Sequence, residues 1–154
     1  MGEIIYRVAS PIRVLPYNVT RTILRADTGA IEDIYRGHNK VLNTGLEAIW
    51  RAFAGVGPAI STFAIGTGAT EPGPEDMGPG GEVLRSDLSR ISASGPILQC
   101  EYYLGSSACN GLTLQSAMLL AGDVPVAWIA YPAATKSSQY VWVFQWQIPL
   151  EQVV

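Results

Sequence analysis

A run near the end of the chain sets the terms for everything before it. Residues 139–148 read QYVWVFQWQI, with Tyr140, Trp142, Phe144, Trp146 and Ile148 on one parity and Gln139, Val141, Val143, Gln145 and Gln147 on the other. Period-2 alternation marks a β-strand whose two faces meet different surroundings. Each large ring removes about 150–250 Å² from water when covered, so the aromatic face of one such strand can anchor the core of a small domain. Pro149 withdraws a backbone donor and is expected to end the ladder.

The second half of the chain supplies neighbours for this strand. Extended runs at residues 91–94, 97–104, 112–120 and 124–131 are separated by Ser94-Gly95-Pro96, by Asn110-Gly111 and by Gly122-Asp123. Asn-Gly between two such runs is a strong hairpin signal. Strands in series joined by short turns predict a mainly β domain with antiparallel pairing, in a sandwich or a barrel-like closure. Residues 60–66, ISTFAIG, read as a further buried strand that adds Phe63 and Ile65 to the core, and residues 82–90 as a short helix or an irregular strand. Trp128 and Tyr140 belong to the same expected core.

One segment has helical period. Val41, Leu42, Leu46, Ile49, Trp50 and Phe53 recur at three- and four-residue steps, which predicts an α-helix over about residues 43–54. Asn43 or Thr44 can cap it, with Glu47 in the capping-box position, and Gly55 or Gly57 can stop it. So short a helix needs tertiary packing. It is expected to lie across a face of the sheet, against Trp142 and Trp146 or their opposite face, with Leu46, Ile49, Trp50 and Phe53 in the core.

Residues 1–38 read as extended and divide from a domain at 39–154. Ile4, Tyr6 and Val8 alternate with Ile5, Arg7 and Ala9, and residues 19–25 and 30–36 flank the turn tripeptide Asp27-Thr28-Gly29. The segment fits either the main sheet or an arm that completes its pairing on a neighbouring subunit. In the second case Ile4, Tyr6, Val8, Ile12, Val14 and Tyr17 are the candidate interface.

With 154 residues, 48% hydrophobic and only 15% charged, the chain forms one domain and is expected to show apolar patches that meet a partner. No run approaches the roughly 20 apolar residues of a membrane span. The net charge is −3 and the ten basic residues form no stripe, so neither nucleic acid nor membrane is an expected partner. MGEIIYRV lacks the basic and apolar regions of a signal peptide, so synthesis in a cytoplasm is expected.

Reactive constellations are missing from the pattern. His38 is the only histidine, and no serine elbow accompanies it for a nucleophilic triad. Cys100 and Cys109 lack paired ligand spacing for zinc and read as two free thiols, or as a disulfide across a tight hairpin. Residues 67–81, TGATEPGPEDMGPGG, form a Gly/Pro-rich loop. Its Glu71, Glu75 and Asp76 lack calcium-loop spacing, and Gly66-Thr67-Gly68 lacks the Lys-Ser/Thr of a phosphate loop. The expectation is therefore no catalytic, cofactor-binding or metal residue, and no enzyme. Trp128, Tyr131, Tyr140, Trp142 and Trp146 offer one alternative, a stacking platform for sugars in a carbohydrate-binding module, if they stand in the open.

Several of these segments together resemble a known kind of domain. LNTGLEAIWRAFAG, then ISTFAIGTGAT, a polar loop and LRSDLSR resemble the small β domain of tailed-bacteriophage fibre, collar and baseplate proteins. CNGLTLQSAMLL and PAATKSSQYVWVFQWQI are similar to its Asn-Gly turn and its final aromatic strand. The resemblance covers residues 39–151, and Gln115 stands where such domains usually carry Glu. It implies a non-enzymatic virion component, a tail-associated adaptor, fibre or baseplate protein. Its partners would be itself, as a trimer or ring, and other virion proteins. A capsid decoration (cement) protein is the alternative setting.

Overall fold

The computed structural model describes residues 12–14 and 18–152. Along the chain come β1 (Ile12–Val14), β2 (Asn18–Arg25), β3 (Ile31–His38), β4 (Lys40–Val41) and α1 (Asn43–Phe53). They are followed by β5 (Ile60–Gly66), β6 (Glu82–Asp87), β7 (Arg90–Ser94), β8 (Ile97–Leu104), β9 (Thr113–Ala121), β10 (Val124–Thr135) and β11 (Tyr140–Gln152). Two antiparallel sheets result. One has the order β3-β2-β11-β8-β7 with β1 also on β11, and the other β4-β10-β9-β5-β6. The mainly β sandwich with one helix is the fold the sequence predicts, and β2 with β3 belongs to its main sheet.

β11 is the central strand, with β2 on one edge and β8 on the other. Its aromatic parity faces the opposite sheet. Phe63 of β5 stacks on Tyr102 of β8 with centroids 4.1 Å apart and lies 5.0 Å from Phe144. Tyr131 of β10 sits 5.7 Å from Phe144 and 6.3 Å from Trp142. Trp142, Phe144, Trp146, Phe63 and Ile65 are buried, and Tyr140 is half-buried against them. Pro149 does not end the strand. It pairs with Ile97, and the ladder resumes on β1 at Leu150–Gln152, since one missing donor removes one bond rather than the register.

The chain passes between the sheets four times, from β3 to β4 at Asn39, from β6 to β7 at Leu88–Ser89, from β8 to β9 and from β10 to β11. Residues 82–90 are thus strand and corner. Asn110-Gly111 makes no tight hairpin either. It lies in the crossing from β8 in one sheet to β9 in the other.

α1 does not lie across a sheet face. It closes one end of the sandwich, with Ala48 buried and Ile49 against the core. Leu42 N–H donates to the Val126 carbonyl at 2.8 Å, and the Thr44 hydroxyl donates to the Pro125 carbonyl at 2.8 Å. Thr44 is therefore spent on β10, and the helix starts at Leu42 with no side-chain cap. A Cβ on Gly45 would stand 2.2 Å from the Val126 carbonyl oxygen, so only glycine lets the first turn seat this closely. Because only one flank of the helix touches the sandwich, Leu46, Trp50 and Phe53 are exposed, contrary to their expected place in the core.

The loop at residues 67–81 is a strap across the outer face of the five-stranded sheet. Gly66 shares that face with Ala64, and a Cβ on it would meet Gly80 O at 2.3 Å and Pro79 Cβ at 3.1 Å. The Lys40 ammonium, on the opposite edge of the sheet, pairs with Glu71 at 2.8 Å. The Gln115 amide donates to the Thr67 carbonyl at 3.0 Å, a bond that a glutamate carboxylate has no hydrogen to make. Ala64, Met118, Leu120 and Trp128 form a second buried cluster. Trp128 is a buried core residue, in this cluster rather than among the rings between the sheets.

Candidate functional site: an apolar end face

The described surface divides into regions of different chemistry. On the outer face of the six-stranded sheet, Thr20, Arg36, Gln99, Glu101, Gln145 and Gln147 line a shallow groove of about 270 Å³. Glu101 is held from two sides: the Gln145 amide donates to it at 3.1 Å, and the neighbouring Tyr103 hydroxyl donates to the same carboxylate at 2.8 Å. That hydrogen bond and the negative charge hold the Tyr103 hydroxyl above its ordinary pKa. The amide parity read in residues 139–148 is this solvated face.

The end of the sandwich remote from α1 is closed by turns. Lys136 is completely buried there, its ammonium donating to Asn110 Oδ1 at 3.1 Å and to the Ser137 carbonyl at 3.2 Å. Burial lowers its pKa. Gly111 N–H donates to the Lys136 carbonyl at 2.9 Å, and Lys136 N–H to Leu112 O at 2.9 Å, so this lysine staples two turns together. Arg21 is likewise buried, although an arginine in a half-exposed hairpin pattern gave no sign of it. Its guanidinium lies 5.1 Å from the Tyr131 and Trp142 rings and pairs with Asp33 at 2.6 Å, a cation–π contact that closes the edge of the core.

The helix end differs from both. Leu46, Trp50 and Phe53 form an exposed stripe, with Trp50 60% exposed and its ring edge-on to Phe53 at 5.8 Å. Beside the stripe, a groove of about 260 Å³ runs between Ile49 and Phe53 of α1, Ile60 of β5, Ile97 and Leu98 of β8 and Ile148 of β11. Ile91 of β7, 46% exposed, continues the same apolar surface. Contiguous apolar surface on an otherwise well-packed domain marks a place where something docks.

The residues considered for chemistry are dispersed. His38 is exposed at the end of β3. Among the described residues no group of three or more His, Cys, Asp or Glu side chains stands together to hold a metal. Cys100 is buried in β8 and Cys109 half-buried in the next turn, both free, and burial pushes the Cys100 thiol up to about 12. Trp142 and Trp146 have no exposed surface, and Trp128 and Tyr131 are also buried, so these rings cannot stack on a sugar. Of the candidate interface residues, Ile4, Tyr6, Val8 and Tyr17 lie outside the described residues, while Ile12 and Val14 are placed by backbone pairing to Gln152 and Leu150. Sequence reading missed the exposure of the helix stripe. Period reports that a helix is amphipathic, and it is silent on which neighbour covers it.

Comparison with known proteins finds no matching family model, no matching curated protein and no matching solved structure.

Proposed function

We propose that this chain is a non-enzymatic structural subunit of a tailed-phage virion, a tail-associated adaptor, fibre or baseplate component that works by homo-oligomeric packing. The observation that supports it is the open stripe of Leu46, Trp50 and Phe53, which runs into the apolar groove at Phe53. Large rings at the centre of a desolvated contact carry most of the energy of subunit association. The low charge content suits a permanent interface, whose buried centre is depleted of charge. The virion setting comes from the resemblance of residues 39–151 to fibre, collar and baseplate domains.

Light scattering on the purified chain tests the packing role. A trimer or ring that falls to monomer when Leu46 and Trp50 are both changed to Glu is the expected result, with circular dichroism confirming that the variant is folded. A folded monomer of the unaltered chain at every concentration would sink it. The setting is tested on purified particles: antibody label on tails supports the adaptor, label at capsid axes assigns the cement role, and no protein in the particles ends the virion reading.

A further inference from the structure

We infer that the groove beside α1 receives residues 3–9 of a second copy of the chain, laid as an added strand along the free edge of β7. This rests on the packing role proposed above, and it names the partner and its seat.

Direction is the first support. β1 runs antiparallel to β11 with Ile12 opposite Gln152. The groove lies level with Ile148, four residues earlier on β11, or about 13 Å at roughly 3.3 Å per residue. Traced from Val14 back to Ile12, the chain is already passing outward beyond its own groove. Residues 1–11 continue from that point, and an extended segment of this length reaches at most about 36–40 Å. That length is enough to span from Ile12 to a neighbouring copy.

The edge is the second. β7 is the last strand of its sheet and pairs only with β8 among the described residues. Ile91 and Ala93 share the parity that faces the groove, since they pair with Cys100 and Leu98 of β8. An open edge beside an apolar groove is what β-strand addition uses: backbone hydrogen bonds give affinity, and alternate side chains enter the pocket.

The chemistry of the occupant is the third. Ile4, Tyr6 and Val8 fall on one parity, so an added strand would turn three apolar side chains toward Phe53, Ile91 and Ala93. Arg7 falls on the other parity, toward water.

The test uses two full-length variants and their mixture. Ile4→Asp with Tyr6→Asp spoils the arm, and Phe53→Glu with Ile91→Glu spoils the groove. Phe53 and Ile91 are half exposed, so both variants should fold, which circular dichroism checks. If the groove variant does not fold, Phe53→Lys alone takes its place. Each variant alone should associate at least about tenfold more weakly than the unaltered chain. The equimolar mixture should regain a two-chain species, because the intact arm of one enters the intact groove of the other. Folded variants whose mixture stays monomeric would overturn the exchange. Association untouched by the arm substitutions would overturn the arm and leave the packing role standing, while a monomeric unaltered chain would remove both.

Discussion

β11 and α1 carry the sharpest apolar patterns in the chain, and the fold covers them unequally. On β11 the rings of Trp142, Phe144 and Trp146 are wholly buried. On α1 an equally regular stripe leaves Leu46, Trp50 and Phe53 in the open. The difference is one of position. A strand in the middle of a sheet has neighbours on both edges and a second sheet across from it, whereas a helix at the end of a sandwich is touched on one flank. The lesson is that amphipathic period sets which face is apolar, while the place in the architecture decides whether one copy of the chain suffices to cover it.

Substitutions can break this contrast. Trp142→Ala should cost about 3–5 kcal/mol through the cavity it leaves, read as a drop in melting temperature. An unchanged melt would show that the ring is not holding the two sheets together. Gly45→Ala should cost about 1–3 kcal/mol, because the added methyl meets the Val126 carbonyl. A gain in stability, which alanine brings to an unhindered helix, would show that the first turn is not seated on β10.

The dryness of the β11 side can be read by pH. Burial raises the Cys100 thiol from 9.0 to about 12, so between those values the unfolded chain releases a proton that the folded chain keeps. Its contribution is full below pH 9.0 and lost as pH rises toward 12, at about 1.4 kcal/mol per pH unit. Cys100→Ala should flatten the alkaline fall in melting temperature. Equal slopes would mean that water reaches the thiol. Trp50→Ala should have the smallest effect on stability, within about 0.5 kcal/mol, because the ring is 60% exposed. Its effect belongs in the solution mass, which should fall. A stability loss as large as that of Trp142→Ala would place the stripe inside the core after all.

Much of the sandwich was legible in the sequence because alternation is local. The parity of residues 139–148, the strand at 60–66 and the glycine stop at Gly55, whose φ of 71° excludes most other residues, could each be read from a few neighbours. What could not be read depends on partners far away in the chain. Thr44 looks like a cap until Pro125, 81 residues later, takes its hydroxyl. Glu71 looks like a solvated acid until Lys40 arrives from the far edge of the sheet. The candidate surface was half legible: the low charge content led to the expectation of exposed apolar patches, but Trp50 and Phe53 were assigned to the inside because apolar period is blind to the end of a sandwich.

The pairing of Ile12 with Gln152 gives the domain a mechanical character. β1 and β2 both lie antiparallel to the central strand, so a pull on residue 12 outward along the axis of β11 loads the pairs of Ile12–Val14, and behind them those of Val19–Arg25, in shear. Antiparallel ladder bonds stand perpendicular to the strands, and in this geometry they share the tension instead of opening in turn. A particle that carries force through its N-terminal segments would hang each subunit from its own middle strand, with the aromatic layer as the anchor.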